Sequence, residues 1–474
     1  MVNHINNIKK GDFGTTTPIK QNDEIGDLHK SINELSISLL ELKEKEKELN
    51  FHRSYDPVTG MPNRSHLYEK LMHLKAENKA NFIIMLDIHG FKILNDIYGE
   101  KAGDEILTIV GRKIEKISAP HFVARVSSDE FSVVTKNIKK EQEIHTLVRK
   151  IKDSLAKPIY VKGEEMRIDM AVGVSKCLEE DFEGSLTQAT LAMIEAKKKG
   201  RGQVEFYRHS MTEAQSEQMK VEKRLFHAVN NQEIYLEYQP KVSLISGQVI
   251  GVEALARWND PFLGKVPPNR FIPIAEETGM ITALSKHLLL EACFQAKSWN
   301  EKGKFIPISV NLSPVLFNLY PRMDMFIEEV LTETQLNPGL LEIEITEGVL
   351  LTRNSVDILQ KICNLGVTIS VDDFGTGYSS LGYLKDFPIH TLKIDKSFVQ
   401  MIKEDRSDRE LAESILFLGK SLGLQVVAEG VETKEQLQFL IDSGCDAVQG
   451  YYVSRPLVIG DFLKFLEADY RVSV

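Results

Sequence analysis

The sequence TISVDDF at residues 368–374 places two adjacent aspartates, Asp372 and Asp373, at the end of a short apolar run. Such runs are typical of buried β-strands. Comparable runs occur at 308–310, 341–345 and 425–428. Helical patterns at 355–365 and 408–422 lie between them, so strand and helix alternate and a parallel sheet is predicted.

Roughly 250 residues follow position 225, which is the typical length of an eight-fold β/α barrel. Such barrels carry their chemistry at the carboxyl ends of their strands. Nine polar residues there form the candidate site: Glu253, Arg257, Asn311, Glu344, Asp372, Asp373, Lys393, Glu429 and Gln449. A single acid after a strand more often caps the next helix. Capping does not account for paired aspartates before a glycine-rich turn, so we interpret the set as a site.

The oxygen donors of this set favour hard divalent cations, because it offers five carboxylates and the amide of Asn311 but no histidine or cysteine. Two Mg²⁺ or Mn²⁺ ions can hold and activate a water that attacks a phosphate ester. Lys393 would orient that water, Arg257 would bind a phosphate oxygen, and Glu429 would serve as ligand or proton acceptor.

Eight motifs give this half a family resemblance. They are YQPKVSL (238–244), EAL (253–255), FIPIAEETG (271–279), EITE (344–347), DDFGTGYSSL (372–381), LKIDKSF (392–398), AEGVE (428–432) and QGYYVSRP (449–456). The segment resembles EAL-domain phosphodiesterases, enzymes with a TIM-like (β/α)8 barrel that hydrolyse cyclic dimeric GMP (c-di-GMP) to linear pGpG.

The resemblance implies a role for each matching residue. The implied metal ligands, two ions per site, are Glu253, Asn311, Glu344, Asp372, Asp373 and Glu429. The implied catalytic residues are Glu253, Lys393 and Glu429, and the implied substrate-binding residues are Gln239, Leu255, Arg257 and Gln449. Glu347 resembles the glutamate that orders the loop carrying the paired aspartates.

An upstream α/β unit resembles a GGDEF domain, the diguanylate cyclase fold. The motifs are YDPVTGMPNR (55–64), FIIMLDIHGFKILNDIYGEKAGDEIL (82–107), HFVARVSSDEFSVVT (121–135) and EAKKKGRGQVEFY (195–207). Ser127 and Ser128 replace the two glycines of the hairpin tip, where glycine lets the backbone approach the nucleotide. His89 replaces the second acid of the strand end, and residues 118–121 lack the family's inhibitory Arg-x-x-Asp.

Six positions retain the residues that the resemblance assigns to GTP: Asp87, Lys92, Asn95, Asp104, Asp129 and Glu130. We therefore expect a degenerate GGDEF domain that binds GTP, does not cyclise it efficiently, and regulates the barrel.

The N-terminal segment shows a heptad pattern, with apolar residues at alternating spacings of three and four that fail only at Glu46. They are Ile25, Leu28, Ile32, Leu35, Leu39, Leu42 and Leu49. The pattern predicts a coiled coil, and we expect a homodimer through this coil and the EAL domain. Residues 8–35 resemble part of a HAMP domain. Because HAMP units follow membrane helices, we expect the cytoplasmic portion of an inner-membrane protein, although no apolar run here spans a bilayer.

The predicted organisation has four parts: a partial HAMP and coiled-coil helix at 1–50, the GGDEF domain at 51–208, a linker helix at 209–226 and the EAL domain at 227–474. A net charge of -10 argues against binding a nucleic-acid polymer. Two alternatives to a phosphodiesterase remain open. One is a c-di-GMP receptor of the LapD type, which usually lacks the first glutamate of the site, and the other is a bifunctional cyclase and phosphodiesterase.

Overall fold

The computed structural model of the protein describes residues 2–19, 23–76, 80–138, 140–177, 181–320, 322–350, 355–375, 384–402 and 406–468. The chain divides into two compact units, Met1–Glu217 and Gln218–Val474. Each unit is mixed α/β, and together they confirm the predicted fold class.

The first unit begins with two helices and continues with a helix-covered sheet. In chain order its elements are α1 (Val2–Lys9), α2 (Glu24–Ser54), α3 (Arg64–Ala76), β1 (Ala80–Ile88), α4 (Phe91–Tyr98), α5 (Glu100–Ser118), β2 (Phe122–Arg125), β3 (Glu130–Lys136), α6 (Glu141–Leu155), β4 (Ile159–Val161), β5 (Glu164–Met166), β6 (Met170–Lys176), α7 (Phe182–Lys198) and β7 (Val204–Phe206). The five-stranded sheet has the order β2-β3-β1-β6-β7, and β4 and β5 form a separate hairpin.

Strand β1 is the central strand of this sheet and is apolar on both faces. Ile84 and Leu86 pack in one buried cluster, whereas Ile83 and Met85 pack in another. Because successive side chains of a strand point to opposite faces, this continuous apolar run places β1 between two layers of helices. The run ends at Asp87, which brings a carboxylate to the end of the strand.

Helix α2 is long but rich in charged residues, as a coiled-coil segment would be. The prediction of an inner-membrane protein is corrected here. Among the described residues, the structure has no helix with both the length and the apolar character required to cross a bilayer.

Helix α8 (His209–Asn230) contains the boundary between the units and leads into the second one. The elements that follow are β8 (Ile234–Ser243), β9 (Val249–Asp260), β10 (Gly264–Val266), α9 (Pro268–Glu277), α10 (Ile281–Glu301), β11 (Ile308–Asn311), α11 (Pro314–Leu319), α12 (Met323–Thr334), β12 (Leu341–Thr346), α13 (Glu347–Leu350), α14 (Ser355–Asn364), β13 (Thr368–Phe374), β14 (Thr391–Ile394), α15 (Lys396–Met401), α16 (Arg406–Ser421), β15 (Gln425–Ala428), α17 (Lys434–Asp442), β16 (Ala447–Val448) and α18 (Ile459–Glu467).

Eight of the described strands close into a barrel in the order β8-β9-β11-β12-β13-β14-β15-β16, and β10 extends the edge of β9. The barrel strands β9 and β11 to β16 run parallel, as the sequence predicts, whereas β10 is antiparallel to β9. Strand β8 differs, because it pairs antiparallel with both β9 and β16. The barrel is thus closed by one strand of opposite direction.

Candidate active site

The polar residues of the second unit lie at one end of the barrel because the parallel strands are in register. Asn311 on β11 is paired with Glu344 on β12. Thr346, two residues after Glu344 on β12, is paired with Asp372 on β13. The remaining members come from the same ends of β9, β14, β15 and β16: Glu253, Lys393, Glu429 and Gln449.

Lys393 is the centre of this group. Its side chain is completely buried, and its Nζ lies 2.6 Å from Glu344 Oε2 and 2.5 Å from Glu429 Oε1. The same nitrogen lies 3.2 Å from Asp372 Oδ1 and 3.6 Å from Glu253 Oε2. Burial disfavours the charged ammonium, but the surrounding carboxylates outweigh it and raise the pKa of Lys393 well above its ordinary value.

Glu253 is held by two side-chain amides. Asn311 Nδ2 donates to Glu253 Oε1 at 2.7 Å, and Gln449 Nε2 donates to Glu253 Oε2 at 2.5 Å. Gln449 also donates to Gln239 Oε1, and Gln239 donates to the carbonyl of Ser454. The first and last strands of the barrel therefore fix this glutamate together.

Glu344 is completely buried between two lysines. Lys241 Nζ donates to its Oε1 at 2.8 Å, and Lys393 Nζ donates to its Oε2 at 2.6 Å. Burial alone would raise the pKa of Glu344, but the two ammonium groups outweigh burial and lower it to about 2. Glu344 is therefore a permanent carboxylate.

The neighbouring acids are held differently. Burial and the nearby Glu344 carboxylate raise the pKa of Glu253 to about 8. Burial raises the pKa of Glu429 to about 7, although Lys393 opposes the shift. Crowded carboxylates of this kind gain most from an added cation, because each like charge disfavours ionisation of the next.

Three of the predicted ligands converge closely enough to share a cation: oxygens of Glu253, Glu344 and Asp372 lie within 4.8 Å of one another. Asn311 turns its amide nitrogen toward Glu253 and Glu344, so it would bind a cation only after its amide turned over. The donors are hard oxygens, which fits Mg²⁺ or Mn²⁺ and does not fit zinc.

Asp373 is exposed and lies beside a different carboxylate. Its backbone is in the left-handed region with a φ of 53°, and its side chain interacts with Asp395 at the end of β14. Burial together with Asp372 and Asp395 raises the pKa of Asp373 to about 6. Asp373 and Asp395 therefore form a second acidic pair next to the group around Lys393.

Arg257 lies on the extension of β9 and forms an ion pair with Glu237 of β8, with Nε 2.7 Å from Glu237 Oε2. Both side chains are partly exposed. Arg257 borders a cavity of about 380 Å³ that is also lined by Leu255, Asn311 and Asp373. The cavity thus brings Asn311 and Asp373 of the site together with two of the four predicted substrate-binding residues, Leu255 and Arg257.

Glu347 is buried at the start of α13, directly after β12. The loop that it is predicted to order continues through 376–383, which lies outside the described residues.

The first unit brings three of its predicted residues together at the sheet end. Asp87 on β1 is paired across the ladder with Glu130 on β3, and the backbone of Ile88 donates to the carbonyl of Asp129. Lys197 of α7 binds both oxygens of Asp87, at 2.8 and 2.9 Å. Burial nevertheless raises the pKa of Asp87, and burial with Asp87 and Asp129 raises that of Glu130.

The serine-containing hairpin tip is tied down by side chains. Ser128 Oγ donates to Asp129 Oδ1 at 2.6 Å, and Arg125 donates to the carbonyl of Ser128. Arg125 also binds Asp56 at 2.7 Å. A glycine has only a hydrogen where Ser128 has its side chain. The Ser128 hydroxyl therefore occupies an oxygen of Asp129, one of the predicted GTP-binding residues.

The other three predicted residues of this unit lie on α4 and α5. Lys92 and Asp104 are exposed. Asn95 packs against Gly103, where an added Cβ would clash with its Oδ1. That oxygen is buried without a hydrogen-bond partner among the described residues, which leaves an acceptor available to a ligand.

Comparisons with known proteins identify the family of each unit. A family model described as "EAL domain" matches residues 222–456, and one described as "Diguanylate cyclase, GGDEF domain" matches residues 53–203. A solved structure named "PaMucR Phosphodiesterase, c-di-GMP complex" is 39% identical with a TM-score of 0.50, and the match covers 51% of this chain and 99% of that one. The chain belongs to the family of tandem GGDEF–EAL proteins.

Curated relatives of this GGDEF–EAL chain are longer proteins. "Signaling protein YkoW" of Bacillus subtilis is 33% identical over 97% of this chain and 58% of its own length. "Cyclic di-GMP phosphodiesterase NbdA" of Pseudomonas aeruginosa is 35% identical over 88% of this chain and 54% of its own length. The chain therefore spans about half the length of these curated relatives.

Sequence reasoning missed several contacts in the two domains. In the EAL domain it passed over Lys241 and Asp395, which stand inside quoted motifs, and Glu342, which lies two residues before one. The alternation of a strand offers a signal for Lys241, because it is two residues from Gln239 on the same face of β8. In the GGDEF domain it missed Lys197, which approaches Asp87 from a helix 110 positions away.

Proposed function

We propose that the EAL domain is a phosphodiesterase that hydrolyses c-di-GMP to pGpG by a two-metal mechanism. The observation that carries the proposal is the group of four carboxylates around the buried Lys393, in which Glu253 is held ready by Asn311 and Gln449. This glutamate is the residue that receptors of the same fold usually lack, and its presence favours catalysis over mere binding.

Mg²⁺ or Mn²⁺ ions fit the donor set, with Glu253, Asn311, Glu344, Asp372, Asp373 and Glu429 as their ligands. Such ions lower the pKa of water and stabilise charge on both oxygens of an in-line displacement at phosphorus. The convergence of Glu253, Glu344 and Asp372 supports this assignment. Asp373 would join through the acidic pair that it forms with Asp395.

The chain's own residues divide the remaining tasks. Lys393 orients the attacking water, and Glu429, whose Oε1 lies 2.5 Å from Lys393 Nζ, accepts its proton. Arg257, at the cavity border, binds a phosphate oxygen of the substrate. Leu255 contributes an apolar wall to the cavity, while Gln239 and Gln449 keep Glu253 oriented. Glu347 is assigned the ordering of the loop that carries Asp372 and Asp373.

The GGDEF domain is proposed to bind GTP without efficient cyclisation and to regulate the EAL domain. Asp87, Asp129 and Glu130 would hold the nucleotide's cation, Lys92 its phosphates, and Asn95 and Asp104 its base. The unpaired Asn95 Oδ1 supports binding. The Ser128 hydroxyl on Asp129 opposes the close approach that cyclisation requires.

Self-association of α2 is proposed as the basis of a homodimer, in which a second copy covers the heptad stripe. Ile25, Leu28, Leu35 and Leu42 of the stripe are each more than half exposed. The neighbouring face of α2 is instead covered by its own chain, through contacts of residues 14–17 with His29, Asn33 and Ser36. The heptad face is therefore available to a partner along the described part of α2.

Hydrolysis of c-di-GMP by the full chain tests the proposal, with Mg²⁺ or Mn²⁺ and with or without GTP. Glu253→Gln is expected to reduce the hydrolytic activity by more than about 10–100-fold. That range is typical of changes to residues that contact a metal's ligands rather than the metal itself. Glu301→Gln, a change on exposed α10 surface, is the matched control and should retain activity. Tight binding of c-di-GMP without pGpG formation under both metals would instead identify a receptor. Formation of c-di-GMP from GTP would identify a bifunctional enzyme.

A further inference from the structure

Lys241 of β8 lies within the barrel beneath the acidic group, and its side chain is only 6% exposed. Its ammonium has three N–H donors, and three acceptors surround it: Ser309 Oγ at 2.6 Å, Glu342 Oε1 at 2.7 Å and Glu344 Oε1 at 2.8 Å. The lysine is therefore fully hydrogen-bonded and has no freedom to turn elsewhere.

Its partner Glu342 is fixed as well. Glu342 Oε1 accepts from Lys241 and from Ser309 Oγ, and its Oε2 accepts from Thr391 Oγ1 at 3.2 Å. Burial opposes ionisation of Glu342, but Lys241 outweighs it and lowers its pKa. Strands β8, β11, β12 and β14 thus hold Lys241 in one place.

Glu344 distributes its two oxygens between the two lysines. Oε1 accepts from Lys241, whereas Oε2 accepts from Lys393 and from Asn311 Nδ2 at 3.2 Å. Rotation of the carboxylate would break the contact with Lys241. Without Lys241, Glu344 could turn and give both oxygens to Lys393.

We propose that Lys241 is a positioning residue that holds Glu344 Oε1 and so commits Glu344 Oε2 alone to the cation site. The inference rests on the proposed function, because it assigns a role at the same site. Lys241 does not line the cavity, and the predicted cation ligand to which it donates a hydrogen bond is Glu344. An outer partner of this kind typically contributes about 10–100-fold to metal affinity.

The test compares two variants of the full chain by electron paramagnetic resonance of free Mn²⁺, without substrate. Lys241→Met alone would leave Glu342 buried beside an apolar side chain and could unfold the barrel. The double variant Lys241→Met/Glu342→Gln avoids that unpaired charge, and Glu342→Gln alone is its matched control, because an amide oxygen still accepts from Lys241. Urea unfolding of the double variant and of Glu342→Gln, in the presence of EDTA, verifies that the two are folded with equal stability.

The control is expected to bind Mn²⁺ close to wild type, and the double variant about 10–100-fold more weakly. The Mg²⁺ concentration for half-maximal hydrolysis should rise by the same factor, which a purely structural loss would not cause. Ser309→Ala, a milder change that removes one acceptor of Lys241, should weaken Mn²⁺ binding in the same direction.

Equal Mn²⁺ affinity of the double variant and its control overturns the inference, as does unchanged affinity in Ser309→Ala. Absence of Mn²⁺ binding by the wild type overturns it too. A wild type that binds Mn²⁺ with the expected differences among variants, yet leaves c-di-GMP intact, contradicts the proposed function and leaves the role of Lys241 standing.

Discussion

At the scale of single residues, the ammonium of Lys393 is the feature on which the acidic group depends. Its contacts of 2.5–3.6 Å with four carboxylates supply the positive charge that keeps them together inside the barrel. Removing one partner from a buried ionic group leaves the charges of the others uncompensated. The resulting loss of folding free energy is far larger than the stabilisation that an exposed ion pair contributes.

Lys393→Met is expected to lower the free energy of unfolding in EDTA by about 3–5 kcal/mol, because Glu344, Glu253 and their neighbours would repel one another without a cation. Urea unfolding measures this loss. Saturating Mg²⁺ should restore part of the stability, since a bound ion stabilises the native state. Activity should remain at least about 10²-fold reduced, because Lys393 also orients the water. Equal stability of variant and wild type in EDTA would contradict this account.

The residue types and strand ends of the EAL site could be predicted from sequence, because acids after apolar runs fall at one edge of a parallel barrel. The hydrogen-bond and ion-pair partners of these residues could not be predicted. Glu344 needs Lys241 from a strand 103 positions away, and sequence spacing carries no information about such a contact. Asp373 was grouped with Asp372 by adjacency, yet successive strand residues point apart, and Asp373 lies against Asp395 instead.

At the scale of elements, helix α8 anchors the extension of β9. Its residues Val221, Leu225 and Ala228 are buried in the core of the barrel. Arg224 donates to Asp260 Oδ2 at 2.7 Å and lies over the ring of Phe262. Asp260 Oδ1 accepts from the backbone of Phe262 and Leu263, so one carboxylate ties the helix to the β9–β10 turn.

Asp260→Asn is expected to lower the free energy of unfolding at pH 7 by about 1.5–3 kcal/mol, the usual range for hydrogen bonds to a charged group. Burial of Asp260 is outweighed by its backbone hydrogen bonds and Arg224, so its pKa in the folded state is lowered. Its contribution is therefore complete above the unfolded pKa of about 3.9 and is lost as the pH falls below it. Urea unfolding between pH 8 and 3.5 measures the difference, which should shrink only at the acidic end. A constant difference would rule out this ionic origin.

The sequence pattern did not reveal the direction of strand β8. Apolar alternation shows where a strand lies but does not show which way it runs. The connection between Ser243 and Val249 carried the missing signal. A parallel crossover needs about a dozen residues or more, so this short connection permits only an antiparallel hairpin.

At the scale of the whole molecule, the exposed heptad stripe of α2 predicts self-association. Leu35→Glu should weaken it by more than about tenfold, because burying a charge costs several kcal/mol and about 1.4 kcal/mol equals a factor of ten. Sedimentation equilibrium of the full chain measures the effect. Lys30→Glu, on the opposite face of the heptad, is the matched control and should associate like wild type. Association that is unaffected by Leu35→Glu would place the interface elsewhere.

The pairing of β8 with β9 and β16 also determines when the contacts of the site can be completed. Gln449 reaches Glu253 across 196 positions and Gln239 across 210, so each contact closes a very long stretch of chain and raises the contact order of the fold. A chain emerging from the ribosome presents its first glutamate long before the glutamine that orients it. Until the barrel closes, Glu253 therefore has the amide of Asn311 as a partner but lacks the hydrogen bond from Gln449.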